Sequence, residues 1–166
     1  LYNFDKTEFI ARPLAKTEES FTLPDSVEKI GYGAFYGCSS LKTVNFSKDK
    51  VKKIDSRAFW GTGLTNVTVY AGIEYGGDVY YSCKNLANAV IEDGVSVIPS
   101  EMFANCPITD ITVPGSVKRI GAFAFSSCSS LENITIENGV EEIQDSAFQG
   151  CSSLEELVIP DSVVKI

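Results

Sequence analysis

The pentapeptide Gly-Cys-Ser-Ser-Leu stands at 37–41 and again at 150–154, with Ser-Cys-Ser-Ser-Leu at 127–131. These words belong to a longer frame that constrains the fold more than any other feature of the chain. The frame reads Val-x-x-Ile, a Phe five residues on, a Cys three later, a Leu three after that, and then two apolar residues one position apart. Its Ile position is held by Ile30, Ile54, Tyr75, Ile98, Ile120, Ile143 and Ile166, in steps of 24, 21, 23, 22, 23 and 23. Phe35, Phe59, Tyr80, Phe103, Phe125 and Phe148 follow at the Phe position, and Cys38, Thr62, Cys83, Cys106, Cys128 and Cys151 at the Cys position. Six copies result, with a half copy at either end: Phe21-Thr22-Leu23-Pro24 matches Leu157-Val158-Ile159-Pro160, and Val163-x-x-Ile166 opens a seventh. A fixed period of this kind marks units that cannot bury an apolar face alone and must stack.

The period is too short for paired-helix repeats or propeller blades, so each unit is one coil of a solenoid. Leu-Glu-Asn-Ile-Thr-Ile at 131–136 alternates apolar and polar residues and reads as a short strand that buries Ile134 and Ile136. Coil on coil, such strands build a parallel sheet. Phe148 and Cys151, three residues apart with Gly150 between them, read as one face of a helical turn on the opposite side.

Three stretches carry a family resemblance: LPDSVEKIGYGAFYGCSSLKTVNF, VPGSVKRIGAFAFSSCSSLENITI and VEEIQDSAFQGCSSLEELVIPDSVVKI. Their I-G-x-x-A-F-x-x-C-x-x-L core and I-P-x-S-V junction resemble the BspA-type leucine-rich repeat over residues 21–166. The fold class that follows is an α/β-like, mainly β solenoid. It is a right-handed leucine-rich-repeat coil stack with one parallel sheet and short helical or 3-10 turns opposite. Three copies depart from the pattern. Copy two loses a residue in AFWGTGL, copy four shortens to NCPI, and copy three, IEYGGDVYYSC, abandons the Ile-Gly-x-x-Ala-Phe motif. Residues 1–20 match no copy and are expected to cap the first coil. Residues 21–166 form the solenoid, expected to be a fragment of a longer chain because the last repeat is incomplete.

The cysteines fall one per coil at equivalent positions, so they form a column and not a cluster. A ladder of small buried hydrophobes accounts for them. Neighbours at strand spacing could meet disulfide geometry, but the count is odd and Thr62 interrupts the column. The chain has no His, which removes the commonest general base and metal ligand. The serine pairs Ser39-Ser40, Ser129-Ser130 and Ser152-Ser153 suit backbone groups freed by a tight turn. No enzyme, cofactor or metal site is expected.

Charge excludes a further class. Residues 1–83 hold ten Lys/Arg and ten Asp/Glu, whereas residues 84–166 hold four and twelve, and 4 − 12 = −8. The only basic cluster, Lys48, Lys50, Lys52 and Lys53, is interrupted by Asp49. A nucleic-acid footprint is therefore not expected. No apolar run approaches the roughly 20 residues of a membrane span.

Two surfaces remain for recognition. One is the outer row of the sheet, in which Asn45, Thr68, Thr112 and Thr135 are candidate contacts. The other lies one position past the Phe anchor, where copies one to three place Tyr36, Trp60 and Tyr81 and the later copies place Ala104, Ser126 and Gln149. Tyr70 and Tyr75 lie in the same half of the chain. Aromatics bring large apolar area with polar tips, which suits protein or sugar contacts; the alternative is that they merely cover the irregular third copy.

The resemblance implies a surface or secreted protein, extracellular by family analogy. It implies a non-catalytic binding or adhesion module for a host extracellular or cell-surface protein, or a glycan. The alternative is a structural spacer or targeting region of a larger multidomain protein.

Overall fold

Each copy of the frame closes one turn of an all-β parallel solenoid. The computed structural model, which describes all 166 residues, stacks about six such turns. In chain order the strands are β1 (Glu8–Phe9), β2 (Ser20–Thr22), β3 (Lys29–Ile30), β4 (Thr43–Asn45), β5 (Lys53–Ile54), β6 (Asn66–Val69) and β7 (Glu74–Tyr75). Then come β8 (Asn88–Ile91), β9 (Val97–Ile98), β10 (Asp110–Val113), β11 (Arg119–Ile120), β12 (Asn133–Ile136) and β13 (Glu142–Ile143). They form two files. The longer strands, β2-β4 and β6-β8-β10-β12, make the sheet implied by the alternating segments. The two-residue strands around the Ile position make a second parallel file, β1-β3-β5-β7 and β9-β11-β13, interrupted where Tyr75 replaces Ile.

The helical or 3-10 turns expected opposite the sheet are absent, because those backbone N–H groups are committed in another direction. Phe35 N donates to Ala58 O of the next coil at 2.8 Å, while Ala34 N and Tyr36 N close tight turns on Gly31 O and Gly33 O. Alternate residues thus bond between coils and within them, a pattern no continuous helix allows. The same alternation carries Phe59 N to Val79 O, Tyr80 N to Met102 O, Phe103 N to Ala124 O and Phe125 N to Ala147 O. Left-handed residues four apart bracket each turn. Gly33 and Gly37 serve the first coil, and non-glycine pairs such as Asp78 and Ser82 serve later ones.

The core is a set of columns. Phe9, Phe35, Phe59, Tyr80, Phe103, Phe125 and Phe148 stack ring on ring, with centroids 4.7, 5.2, 5.4, 5.7, 5.5 and 5.5 Å apart. Phe9 extends this column beyond the first repeat, and β1 pairs with β3 beside it. The five cysteines are free and buried. Each of the last four donates its thiol to the carbonyl of the aromatic anchor one coil back: Cys83 to Phe59 (3.1 Å), Cys106 to Tyr80 (3.0 Å), Cys128 to Phe103 (3.2 Å) and Cys151 to Phe125 (3.2 Å). Since the Cys83 proton is used this way, the Thr62 hydroxyl is the donor in its 3.2 Å contact with Cys83 Sγ.

The shortened copies leave marks on the sheet. Phe59 and Leu64 are one residue closer in sequence than Phe35 and Leu41, as are Phe103 and Ile108, so β6 and β10 begin early relative to the aromatic column. β4 and β6 do not pair, and β8 meets β10 only at Asn88↔Asp110, whereas β6 with β8 and β10 with β12 pair along their full length.

Candidate recognition surface

In the first three coils the residue after the aromatic anchor ends a tight turn whose first residue, Gly33, Arg57 or Asp78, is left-handed. Such a turn buries the anchor and directs the next side chain outward. Tyr36, Trp60 and Tyr81 consequently form an outer file parallel to the inner one, with centroids 6.0 and 4.0 Å apart and planes within 26° and 19°. Tyr36 is exposed; Trp60 and Tyr81 are half-buried. The Arg57 guanidinium lies 5.1 Å from the Trp60 ring centre and 5.8 Å from that of Tyr32, and its Nε donates to Asp78 Oδ2 at 2.9 Å. Cation and rings are thereby held together on one surface. Past Tyr81 the file ends at the buried Ala104, leaving a hollow of about 350 Å³ between Tyr81 and Phe123.

Tyr70 and Tyr75 belong elsewhere. Tyr75 fills the Ile position of the third coil, where burial pushes its phenol up and its hydroxyl accepts from Tyr70 N. Tyr70 packs edge-on against Phe46, 5.9 Å between centroids, with Lys48 Nζ 5.5 Å from its ring centre. Tyr70 adjoins the sheet and Tyr75 lies in the second file, and neither ring stacks with the outer file.

On the sheet, Thr112 stands beside Thr135 in register, Asn45 Nδ2 donates to Thr22 Oγ1, and Thr68 lines the gap between β4 and β6. A flanking row makes amide ladders, Asn88 Nδ2 to Asn66 Oδ1 at 3.0 Å and Asn133 Nδ2 to Asp110 Oδ1 at 2.7 Å. Much of the expected sheet surface is thus engaged in holding coil to coil.

Two groups are removed from chemistry by their surroundings. Burial pushes the Cys128 thiol up to about 12, the opposite of what a nucleophile or metal ligand needs. The basic cluster is dissolved into pairs, Lys48 with Glu92 and Lys53 with Glu74 and Asp55, while Lys52 donates to Asp49 O. Lys29 similarly bridges Glu8 and Asp55. Arg57, itself paired with Asp78, is the cation that lies against two rings, Tyr32 and Trp60. Its importance was not legible beforehand, because the pairing with Asp78 spans coils of unequal length. No helix of the structure is long and apolar enough to cross a membrane.

Comparison with known proteins follows the same geometry. The family profile described as "BspA type Leucine rich repeat region" matches in six copies, over residues 16–131 and 96–166. Among solved structures, a leucine-rich repeat protein from Eubacterium ventriosum superposes with a TM-score of 0.88 at 23% identity, over 98% of this chain and 44% of that one. The leucine-rich repeat protein TpLRR of T. pallidum gives 0.71 at 28% identity, over 86% of this chain and 65% of that one. A leucine rich cell surface protein from Faecalibacterium prausnitzii gives 0.51 at 26% identity, over 89% and 55% respectively. The chain thus spans about half the length of the solved structures it matches. No curated protein matches it at a significant level.

Proposed function

Since this chain belongs to the BspA-type leucine-rich repeat family, we propose that it is a non-catalytic binding segment of a bacterial surface or secreted protein. It docks a protein partner through the outer aromatic file. The observation that carries the reading is the stack of Tyr36, Trp60 and Tyr81 with Arg57 against it. Nothing in the core requires these rings: the inner column already fills the coils, and copies four to six manage with Ala104, Ser126 and Gln149. Aromatic and arginine side chains clustered on one surface are what a protein interface uses as anchors, and a hollow adjoins the file at Tyr81.

The ring orientation favours a protein over a glycan. Sugars stack on open ring faces, whereas here the Trp60 ring is stacked between its two neighbours. The family's surface setting and the cell-surface description of the F. prausnitzii relative support an extracellular location. In this reading residues 1–20 cap the solenoid, and the sheet row with Asn45, Thr112 and Thr135 is secondary.

A screen of the folded chain against immobilised extracellular matrix and cell-surface proteins, with glycans alongside, tests the proposal. Saturable binding to a protein is the expected result. Silence across the panel from an intact solenoid supports the spacer reading instead.

A further inference from the structure

The unpaired seam between β4 and β6 opens a cleft of about 240 Å³ that passes from the outer face of the sheet to the aromatic column. Its floor is Phe59, Leu64 and Tyr80, each no more than 3% exposed, and its walls include Val44, Val67 and Tyr70. Thr43, Asn66 and Asn88 stand at the mouth, and no charged side chain lines it. The polar feature of the floor is the Tyr80 hydroxyl. Tyr80 takes a place in the ring column that Phe takes in the five other copies, and its hydroxyl makes no hydrogen bond within the protein. Nor is it sealed from solvent, since the one fully enclosed, unpartnered side-chain nitrogen or oxygen is Arg12 Nη1.

A hydroxyl at the foot of an otherwise apolar cleft, with no partner in the protein, is open to a hydrogen bond with whatever the cleft admits. We propose that this cleft is a binding site for a small, neutral, single-ring aromatic molecule bearing a hydrogen-bond acceptor, such as a phenol, whose oxygen accepts from the Tyr80 hydroxyl. Size sets the single ring: a dry cavity of about 150 Å³ holds benzene, and the larger volume here leaves room for a ring substituent. The uncharged lining sets neutrality, because an ion would be desolvated without a counter-charge. Burial pushes the Tyr80 phenol up, which keeps its proton available for donation. The site arises from the one-residue shortening of the second copy, which leaves β6 unpaired with β4, and from the Tyr at the third copy's Phe position. It is independent of the outer file on the turn side.

Titrating p-cresol and toluene into the isotopically labelled chain, followed by amide chemical shifts, tests the site. The expected result is saturable p-cresol binding with shifts concentrated in 43–46 and 66–69, and toluene weaker by about three- to tenfold, the worth of one net hydrogen bond. Tyr80→Phe should fold, since Phe occupies that position in the other five copies. In it the two ligands should bind alike, both at the wild-type toluene level. Benzoate should not compete. The proposal is overturned by p-cresol shifts that grow linearly to its solubility limit. It is equally overturned by shifts centred on Tyr36, Trp60 and Tyr81, or by a p-cresol preference that survives in Tyr80→Phe. None of these outcomes bears on protein binding by the outer file.

Discussion

The hydroxyl of Tyr75 accepts a hydrogen bond from the backbone N–H of Tyr70 at 2.9 Å. The residue that displaces Ile from the third coil therefore satisfies the chain segment that precedes it. Tyr75→Phe keeps the ring and strands the Tyr70 N–H, at a cost of about 1–2 kcal/mol. Urea unfolding should show this loss, and Tyr32→Phe, at an exposed ring, should show none.

The thiol column predicts an alkaline limit to stability. Cys128 rises from 9.0 to about 12 through burial, so the unfolded chain releases its proton first. Above pH 9 the unfolded state binds fewer protons than the folded one, and stability falls as pH climbs from 9 to 12. The contribution is whole below pH 9 and reaches a loss of about 4 kcal/mol for this group by pH 12. Unfolding free energies at pH 8, 10 and 11 measure the slope, which Cys128→Ala should reduce.

Close approach of backbones dictates a second stability difference. A Cβ at Gly63 would run into the Ser39 carbonyl of the preceding coil, whereas one at Gly72, with φ +80°, meets nothing within 4 Å. Gly63→Ala is expected to cost about 2–4 kcal/mol because two coils must separate. Gly72→Ala should cost only about 1 kcal/mol, for the left-handed backbone. Thermal unfolding of the two variants side by side checks the order.

The seams should be visible in exchange. β6 lacks a partner on its β4 side, whereas β12 pairs with β10 at all four of its residues. Amides of 66–69 directed at the seam should exchange faster than those of 133–136 directed at β10. Equal protection would mean that the seam closes in solution.

The columns were legible in the sequence because each residue that builds them recurs at a fixed place: Phe35 to Phe148 stack, and Cys38 to Cys151 lie buried, as the frame requires. The outer file was also legible as a position, since Tyr36, Trp60 and Tyr81 share one place in three consecutive copies. What escaped has local physical causes. Phe148 and Cys151 at a spacing of three suit a helical turn and a run of tight turns equally, and only the bonds to the neighbouring coil decide between them. Strands two residues long, such as Lys53–Ile54, show no alternation to read. The cleft follows from one missing residue between Phe59 and Leu64, a deletion plain in the sequence whose effect on β6 depends on its neighbour. Tyr70 and Tyr75 were near the outer file in sequence but do not stack with it, because Tyr70 follows the sheet strand Asn66–Val69 and Tyr75 lies in the two-residue strand Glu74–Tyr75.

The central claim is that the outer aromatic file exists for recognition and not for packing. Equilibrium binding of Trp60→Ala to the protein captured by the wild-type chain, with unfolding of both measured in the same buffer, tests it most directly. The account predicts affinity weakened by about 30-fold or more, as for an interface anchor worth about 2 kcal/mol, in a variant that remains folded. Unchanged affinity together with reduced stability would contradict it and leave Trp60 a packing residue.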